Sequence, residues 1–523
     1  MAAAPAPAAA APAAPAHSTA VIVGAGVSGI AALVQFKRLL KLTDVVVYEK
    51  DSQVGGTWSA NVYPGASCDI PVAFYSFSFD PAKEFSTQWP GWQGLLKYYN
   101  RIVDKYHVRD RIVLRTVVDE ARFSRETGLW TVQTRHVETG ATHVQTCNIL
   151  VSAVGALSVP ADPPFDTSDF DGPVMHSAKW DHDVSLKDKD VVILGNGCSA
   201  AQIVPTILPE VKSLTQIARG QQAIVPPPVI PDNAFTNALS RWIPGLFSVT
   251  RYLVFSLCES YFTYTDKVDG VAGQQKMKRE SDAYLEKVAN PKYKEQLKYD
   301  FPFGQKRRII DFLKYAPATN DPKFTLVYPD TIKSAKGHTV TTEKGVEVPA
   351  DVIVLSTGFK VTDYLHPLSV FNGEGESLVE RLKKNGVKTY LTSMVATYPN
   401  FFLLMGPNSV TGHSSVIFNS ECTVEMMVEL VKPVLAALAK RDKDAGPPAP
   451  SVEVKQEVED EWFARMRAEM EKKVWENDGG ISWYVDPNIG KCTTLFPWGQ
   501  LEFQRQTKEA AASKDRFIYT AIA

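Results

Sequence analysis

Short apolar runs followed by glycine turns occur twice along the chain. Residues 20–23 (AVIV) form one run and residues 191–194 (VVIL) form the other. A short continuous apolar run bounded by glycine is typical of a buried parallel strand. After each turn the apolar positions repeat with the period of a helix, over 30–34 and 200–204. The pattern therefore predicts two strand–turn–helix units of the kind that open parallel α/β domains.

The first turn has the spacing of a dinucleotide-binding loop. Gly24, Gly26 and Gly29 form Gly-x-Gly-x-x-Gly between the predicted strand and helix. The first glycine permits a tight turn, the second lets backbone approach a pyrophosphate, and the third lets the helix pack on the strand. A second strand over 45–48 ends in Glu49, about twenty residues on, where a carboxylate would hold a ribose 2′-hydroxyl. Together these features predict a bound dinucleotide rather than a merely structural turn.

The second turn has the same frame with one informative difference. Gly195, Gly197 and Ala200 follow the second strand, and alanine is tolerated at the third position. The next predicted strand, 214–218, ends in Arg219 instead of an acid. A carboxylate there would repel a 2′-phosphate, whereas a guanidinium binds one bidentately. We therefore expect NADP rather than NAD at this turn, the alternative being a solvated arginine at a strand end.

Composition narrows the class of protein further. The chain has 523 residues, more than one hydrophobic core organises, so two or more domains are expected. Its formal net charge of −2 gives no electrostatic attraction for nucleic acid. The six cysteines are scattered without a CxxC pair, which argues against a disulfide framework, a structural zinc site and a redox-active dithiol. The sequence predicts a cytoplasmic redox enzyme with no metal and no nucleic-acid partner, and it indicates no particular oligomeric state.

Two segments have an unusual composition. Residues 1–17 consist largely of alanine and proline, which form neither a continuous helix nor a core, so a disordered tail is expected. The longest apolar stretch, Trp242–Phe262, contains Pro244, Arg251 and Glu259. A charge at mid-span costs several kcal/mol in a bilayer, so we predict a buried or lid-forming helix and no integral membrane span. Contact of this segment with a membrane surface is the alternative.

The most specific motif of the chain lies between the two turns. Residues 170–181 read Phe-x-Gly-x-x-x-His-x-x-x-Trp-Asp, with Phe170, Gly172, His176 and Trp180 at its fixed positions. This resembles the fingerprint of Baeyer-Villiger monooxygenases, the class B flavoproteins that use FAD and NADPH. Flavin-containing monooxygenases that oxygenate nitrogen or sulfur share most of it but usually have Tyr or Phe where Trp180 stands. We expect His176 to hydrogen-bond backbone in a hinge rather than to transfer protons, and Trp180 to anchor packing.

Further segments match the same family in order and at family-like spacing, so the resemblance covers nearly the whole chain after the tail. They are 55–58 (GGTW), 63–69 (YPGASCD), 195–202 (GNGCSAAQ), 306–307 (KR) and 357–359 (TGF). Segments 406–415 and 483–484 are similar to the 4-hydroxyacetophenone monooxygenase branch and its fungal relatives. The resemblance implies an α/β fold with two Rossmann-like dinucleotide-binding domains, one for FAD and one for NADPH, and a helical insertion.

The resemblance also implies a catalytic pair. Oxygen transfer to a ketone needs a deprotonated flavin peroxide, and such an anion in a dry pocket needs a fixed positive charge nearby. Arg307 stands where the family has the arginine that stabilises the peroxyflavin. Asp69 matches the carboxylate partner of that arginine. An architectural salt bridge between two domains is the alternative for this pair.

Cofactor contacts are implied by the same motifs. Arg219 and Lys306 resemble the pair that holds the NADP 2′-phosphate, but Gly220 replaces the usual Thr or Ser, which leaves discrimination against NADH open. Trp58 is expected to pack beside the flavin, with a core position as the alternative. The predicted cofactor-binding residues are Gly24, Gly26, Ser28, Gly29, Glu49, Gly56, Thr57, Trp58, Asp69, Gly195, Gly197, Cys198, Ser199, Ala200, Gln202, Arg219, Lys306, Thr357 and Gly358.

These assignments divide the chain into four parts. After the tail over 1–17, residues 18–157 are predicted to form the first part of the FAD-binding domain. Residues 158–360 are predicted to form the NADP-binding domain, with the helical insertion at about 225–300. Residues 361–523 are predicted to complete the FAD-binding domain and to add a C-terminal segment.

Three functions follow as alternatives. The first is a Baeyer-Villiger monooxygenase that takes oxygen from O2 and inserts it beside the carbonyl of a ketone, giving an ester or lactone, and Asp69, Arg307 and Trp180 favour it. The second is an oxygenase of amines or thioethers, which needs a protonated hydroperoxide and has less use for the arginine. The third is a nucleotide-binding flavoprotein that does not oxygenate, against which the retained charged residues argue.

Overall fold

The structure, a computed structural model, is that of an α/β protein with two main sheets. It describes residues 15–228, 242–243, 245–441, 446, 448–476 and 482–522. Residues 1–14 of the predicted tail and part of the predicted insertion lie outside these ranges. Within them, strands and helices follow one another around both glycine turns as the apolar pattern indicates, which confirms the α/β class.

The first sheet has eight strands and leads into the first glycine turn. They are β1 (His17–Val23), β2 (Val45–Tyr48), β3 (Ile112–Val113), β4 (Thr116–Ser124), β5 (Leu129–His136), β6 (Thr142–Ser152), β17 (Ser369–Phe371) and β18 (Phe401–Leu403). Their order is β17-β4-β5-β6-β1-β2-β3, with β18 beside β6. β1 begins at the last residue of the predicted tail and is parallel to β2 and β6, whereas β4, β5 and β6 form an antiparallel meander.

The second sheet has five strands and is parallel throughout. They are β7 (Val174–His176), β8 (Asp190–Leu194), β9 (Ser213–Ile217), β12 (Phe324–Val327) and β16 (Val352–Leu355). Their order is β12-β9-β8-β16-β7. β8 leads into the second glycine turn, and β7 belongs to the 170–181 motif. After β16 the chain adds no strand to this sheet and returns to the first sheet with β17 and β18.

The remaining elements are helices and short sheets around these two layers. The α-helices of the described residues are α1 (Val27–Gln35), α2 (Thr57–Ala60), α3 (Trp92–Lys105), α4 (Cys198–Ile207), α5 (Leu246–Ser260), α6 (Val271–Val288), α7 (Lys294–Leu297), α8 (Tyr315–Ala318), α9 (Leu378–Lys384), α10 (Val416–Lys440), α11 (Gln456–Met470) and α12 (Gln500–Ala512). Shorter helical turns are Phe36–Leu40, Arg109–Arg111, Ser177–Lys179, Tyr261–Thr265, Val474–Glu476 and Lys514–Arg516. One small sheet has three strands in the order β13 (Ile332–Lys336), β14 (Thr339–Thr342) and β15 (Glu347–Pro349). Three two-stranded sheets pair β10 (Ile224–Val225) with β11 (Ile309–Ile310), β19 (Ser451–Val454) with β22 (Phe517–Thr520), and β20 (Val485–Asp486) with β21 (Lys491–Cys492).

The core of the first sheet lies on both of its faces. Because side chains alternate along a strand, Ala20 and Ile22 of β1 join the apolar cluster that contains α1, α3 and α10. Val21 and Val23 point to the opposite face and join a second cluster around the fully buried Trp130. β1 is therefore covered on both sides, which explains its continuous apolar run and fixes the turn that follows it.

Helix α5 lies in the long apolar stretch of the predicted insertion and is only half-buried. Val254 packs inward, whereas Tyr252 and Leu253 on the opposite face are exposed. Arg251 turns inward and donates to the backbone carbonyl oxygen of Ser76 at 3.0 Å. Its charge is thus solvated by backbone carbonyls of the first half of the chain. No helix among the described residues is long and apolar enough to cross a membrane.

Candidate active site

The first glycine turn is closed tightly by the protein itself. Gly24 has a φ of +102°, and a Cβ there would lie 2.5 Å from the carbonyl oxygen of Ala153. A Cβ on Gly29 would lie 1.9 Å from the carbonyl oxygen of Gly24. Both positions therefore require glycine, the first for backbone conformation and contact, the second for contact alone. The turn brings the first residues of α1, with their free backbone N–H groups, to the edge of β1.

The 55–58 motif packs directly on this turn. Gly56 has a φ of +54°, and a Cβ on it would lie 2.7 Å from Cα of Gly26. Thr57 begins α2, and Trp58 is buried with its Nε1 donating to the hydroxyl of Tyr75 at 3.1 Å. The motif thus adds a second glycine layer to the first turn. Trp58 occupies a core position, its predicted alternative, and its contact with flavin stays a prediction.

Glu49 lies buried at the end of β2, beside the turn. Its Oε2 accepts from the backbone N–H of Ala25 at 2.7 Å and its Oε1 from that of Asp51 at 2.9 Å. Burial raises the pKa of this carboxyl, and the two N–H donors oppose the rise. The backbone therefore fixes the carboxylate while part of its acceptor capacity stays free, which suits a ribose hydroxyl.

A cavity of about 160 Å³ opens beside the first turn. Its walls include the predicted residues Gly24, Gly26, Ser28, Glu49, Gly56 and Thr57. The Ser28 hydroxyl lies 2.8 Å from that of Ser420 on α10, so the start of α1 is braced by that helix. Glycine backbone, a helix N-terminus and a fixed acid together fit a dinucleotide such as FAD.

The second glycine turn has the same shape but faces open space. Gly195 has a φ of +112°, and a Cβ on it would lie 2.4 Å from the carbonyl oxygen of Ser356. A Cβ on Gly197 would meet no atom within 4 Å. α4 begins at Cys198 and continues through Ser199 and the buried Ala200. The backbone of this turn is thus exposed where a pyrophosphate would approach.

The predicted TGF segment lies beside the second turn and offers an unused polar atom. The Thr357 Oγ1 is buried and has no hydrogen-bond partner among the described residues. Gly358 has a φ of +92°, and a Cβ on it would meet no atom within 4 Å. A buried hydroxyl without a partner beside an open glycine turn fits a site completed by a ligand.

Two cations lie at the end of β9, next to the second turn. Arg219 is exposed, and Lys306 Nζ lies 3.8 Å from where a Cβ on Gly220 would be. Lys306 donates to the carbonyl oxygen of Gln221 at 3.3 Å. Burial lowers the pKa of Lys306, and the charge of Arg219 lowers it further while Asp300 opposes this. Neither cation forms an ion pair with a described carboxylate, so both charges are available to a 2′-phosphate.

Gln202 on α4 connects the second turn to the 63–69 motif instead of facing the turn. Its Oε1 accepts from the hydroxyl of Tyr63 at 2.8 Å, and its Nε2 donates to the carbonyl oxygen of Ser67 at 2.9 Å. A Cβ on Gly65 would lie 2.5 Å from the backbone carbonyl oxygen of Gln202. This contact places Asp69, which ends the motif, at the boundary between the two sheets. A role of Gln202 in binding a cofactor stays a prediction.

Arg307 and Asp69 meet at this boundary although 238 positions separate them in the chain. Nη2 of Arg307 donates to both carboxylate oxygens of Asp69, at 2.5 Å to Oδ1. Burial disfavours the charge of Arg307, but Asp69 outweighs this and raises its pKa. Burial also opposes ionisation of Asp69, yet Arg307 and Arg308 outweigh it and lower its pKa. Both members of the pair are therefore ionised, and Asp69 holds the positively charged guanidinium of Arg307 in place.

The loop that follows β18 completes the surroundings of Arg307. Nη1 of Arg307 donates to the carbonyl oxygen of Gly412 at 2.6 Å. A Cβ on Gly412 would lie 3.0 Å from the hydroxyl oxygen of Tyr484. Arg308, the next residue, donates to the same carbonyl at 2.9 Å and was not among the predicted site residues. The run of three cations at 306–308 inside an apolar segment is the signal that could have indicated it.

Among the described residues, no hydrogen bond or ion pair joins the 170–181 fingerprint to Arg307 or Asp69. Nδ1 of His176 accepts from the backbone N–H of Ala178 at 3.0 Å, and its ring centroid lies 5.9 Å from that of Phe359. Burial lowers the pKa of His176, which keeps it neutral. Trp180 belongs to the apolar cluster that also contains Tyr63. His176 thus bonds to backbone and Trp180 packs, while their roles in a hinge and as a packing anchor stay predictions.

Phe170 and Gly172 have packing roles as well. Phe170 is buried in the cluster on the far side of the second sheet, with Val192 and Ile353. A Cβ on Gly172 would lie 2.2 Å from the carbonyl oxygen of Asp351. Phe170 and Gly172 therefore hold the start of the fingerprint against the second sheet through close contacts.

Known proteins resemble this chain in sequence and in structure. A family model described as an NAD(P)-binding Rossmann-like domain matches residues 22–88, which contain the first turn. The chain is 31% identical to a Baeyer-Villiger monooxygenase of Streptomyces coelicolor, over 97% of this chain and 94% of that protein. It is 29% identical to the FAD-binding monooxygenase ktnD of Aspergillus niger, over 94% of this chain and 80% of that protein. A solved oxidized steroid monooxygenase bound to NADP has a TM-score of 0.81 and 25% identity, over 96% of this chain and 99% of that one.

Proposed function

The chain belongs to the Baeyer-Villiger monooxygenase family, and from this premise we propose that it oxidises a ketone at the Arg307–Asp69 pair. It is an oxidoreductase, a flavin monooxygenase that uses FAD and NADPH. The overall reaction takes ketone, O2, NADPH and a proton to an ester or lactone, NADP+ and water. The observation that carries the proposal is a half-buried, ionised arginine that pairs with Asp69 across 238 positions of the chain.

Each turn is assigned one cofactor. The first turn, with its enclosed backbone and buried Glu49, holds FAD through its pyrophosphate and ribose. The second turn holds NADP, with Arg219 and Lys306 on the 2′-phosphate. When bound, reduced FAD supplies the electrons that activate O2. Gly220 adds no hydroxyl to the phosphate site, so charge is the main source of preference for NADPH over NADH.

Arg307 acts by charge and by orientation. Its bonds to Asp69 and Gly412 use only part of the N–H donors of a guanidinium, so donors remain for a negatively charged oxygen. Because the arginine is fixed before the reaction, it stabilises developing negative charge without the cost of reorganisation. Asp69 keeps the arginine charged and aimed. Tyr484 and the 412 loop are buried and shield part of the pair from solvent, which strengthens both effects.

The test is substitution of Arg307. Arg307→Ala should cost about 3 kcal/mol or more of transition-state stabilisation while FAD stays bound, since the arginine does not contact the first turn. Ester formation from a ketone panel, quantified by mass spectrometry, should fall at least about a hundredfold. Arg307→Lys is the matched variant that keeps the charge and loses the bidentate geometry. Near-normal ester formation by Arg307→Ala would overturn the assignment.

We further propose that the enzyme works in the reducing cytoplasm. The six cysteines are free thiols, and five of them are buried. Burial raises the pKa of Cys68 and of Cys492 above the usual thiol range, which makes these thiols unreactive. Fractionation of the native protein with a cytosolic marker is the corresponding measurement.

A further inference from the structure

Arg308 is a buried guanidinium next to the half-buried Arg307, and it feels the charge of Asp69 without forming an ion pair with it. Its exposed fraction is 8%, and its bonds go to the carbonyl oxygens of Gly412, at 2.9 Å, and His413, at 3.4 Å. No carboxylate of the described residues forms an ion pair with it.

Burial, and next the charge of Arg307, lower the pKa of Arg308, and Asp69 opposes this only in part. The guanidinium also lies 5.8 Å from the ring centroid of Tyr261. A buried cation whose charge is only partly compensated is costly unless an anion completes the site.

Arg308 lines a cavity of about 240 Å³ that also reaches Asp69. This space is far larger than the roughly 10–15 Å³ that one water needs. Most of the remaining wall is apolar, and it includes Trp89, Pro226, Leu257, Met277 and Ile310. Apolar walls with one fixed cation suit a small organic molecule that carries one anionic group.

The acidic residues on this wall do not supply the missing anion. Asp69 is already committed to Arg307 through both carboxylate oxygens. Glu280 is exposed and pairs with Lys276 at 3.8 Å. The bonds of Arg308 to carbonyl oxygens leave N–H donors of its guanidinium unused. Arg308 lines a cavity that extends to Asp69, the carboxylate partner of Arg307.

We propose that Arg308 binds a carboxylate on the substrate, so that the preferred substrates of this enzyme are keto acids. The inference rests on the proposed function, because it places the ketone carbonyl near Arg307 and the carboxylate on Arg308. A guanidinium binds a carboxylate bidentately, so Arg308 also sets the orientation of the ketone within the cavity. The ester of the same keto acid fits the apolar walls but leaves the cation unpaired.

The experiment compares each keto acid with its own methyl ester, using 5-oxohexanoate and 4-acetylbenzoate with the FAD-loaded full chain. Dissociation constants are taken from the change in flavin absorbance on titration, and kcat/KM from product formation. The wild type should favour the acid over the ester at least about tenfold in both quantities. Arg308→Gln should abolish the preference, and Arg308→Lys should retain part of it. Arg279→Gln, which removes an exposed arginine near the cavity, should leave it unchanged.

The outcomes separate this inference from the function on which it rests. A wild type that oxidises both esters and acids without preference overturns the role of Arg308 and leaves ketone oxidation in place. An acid preference that survives Arg308→Gln also overturns it. If Arg308→Gln raises the KM for NADPH and keeps the acid to ester ratio, the anion on Arg308 is a cofactor phosphate and the inference fails. Absence of ester or lactone product from every ketone, whether neutral or a keto acid, overturns the proposed function itself.

Discussion

The two glycine turns share a backbone shape but differ in what surrounds them. In the first, the positions of Gly24, Gly29 and Gly56 are each filled by protein atoms within 2.7 Å of an added Cβ. In the second, Gly195 is packed in the same way, while Gly197 has nothing within 4 Å. The same motif thus serves an enclosed site and an open one. The first turn is enclosed because the 55–58 motif covers it.

The charged side chains beside the two turns differ in the same way, enclosed at the first turn and accessible at the second. The first site has a buried acid, Glu49, already fixed by two backbone N–H groups. The second has Arg219 and Lys306, which form no ion pair with described carboxylates. In the proposed reaction each turnover consumes one NADPH, so NADP+ must leave each time, whereas FAD is restored. An enclosed site with internal hydrogen bonds suits the cofactor that is restored, and an open site with accessible charges suits the one that leaves.

The largest effect is expected where the first turn is most crowded. In Gly29→Ala the new Cβ would lie 1.9 Å from the carbonyl oxygen of Gly24, so the turn must open. We expect destabilisation of about 3 kcal/mol or more and loss of bound FAD. The ratio of flavin to protein absorbance and the melting temperature report both. Full FAD content in this variant would contradict the difference between the two turns.

The bracing of the first site by α10 should make its stability depend on pH. Glu421, next to the Ser420 that contacts Ser28, is buried and accepts from the Ser78 N–H at 2.8 Å. Burial raises its pKa to about 7 from 4.5, so the folded state holds a proton that the unfolded state releases, and stability falls as pH rises through that window. Glu421→Gln should therefore gain up to about 3 kcal/mol at pH 8 and almost nothing at pH 4.

Melting temperatures at the two pH values provide the measurement for Glu421. The matched control is Glu429→Gln, because Glu429 is an exposed residue of the same helix whose pair with Lys432 is worth little. An equal gain at both pH values would show that side-chain replacement, rather than the removal of a buried charge, stabilises the variant.

Removal of a cation from the second site should change cofactor preference without touching FAD. A charged hydrogen bond contributes roughly 1.5–3 kcal/mol, so Lys306→Gln should lower kcat/KM for NADPH about tenfold or more. The value for NADH, which has no 2′-phosphate, should stay nearly constant. Lys333→Gln, at an exposed position on β13, is the control for net charge. An equal loss of kcat/KM with NADPH and with NADH would show that Lys306 does not contact the 2′-phosphate.

The smallest effect is expected at the open glycine. Gly197→Ala introduces a Cβ into free space, so FAD content and melting temperature should match the wild type. The methyl group would stand where the pyrophosphate approaches. This should weaken NADPH binding by about 1 kcal/mol and so raise the KM for NADPH roughly fivefold. Steady-state kinetics with varied NADPH measures this. A loss of stability like that of Gly29→Ala would remove the distinction between the turns.

The parts of the fold that depend on local sequence could be predicted. Glycine spacing and a terminal acid or arginine are set by neighbours in the chain, so both turns, Glu49 and Arg219 were accessible to motif analysis. The Arg307–Asp69 contact spans 238 positions and was predicted only through the family resemblance. The run of cations at 306–308 could have indicated Arg308 as a site residue, but its contacts could not be predicted, because the distant 412 loop supplies them.

The buried face of helix α5 likewise could not be predicted from the sequence. Helix α5 contains a charged residue in an apolar stretch, and the sequence does not show which way that charge points. In the fold, Arg251 reaches carbonyl oxygens of a loop about 175 positions earlier in the chain. Which face of α5 is buried is therefore decided by tertiary contacts rather than by the periodicity of the helix itself.

The contact between Gly65 and Gln202 has a consequence for engineering by recombination. The backbone of Gly65 lies against α4, and the Gln202 side chain bonds to both Tyr63 and Ser67. A chimera that takes its NADP-binding half from one parent and the 63–69 loop from another would mismatch this joint. Crossover points should be chosen so that both segments come from the same parent, although more than 130 positions separate them in the chain.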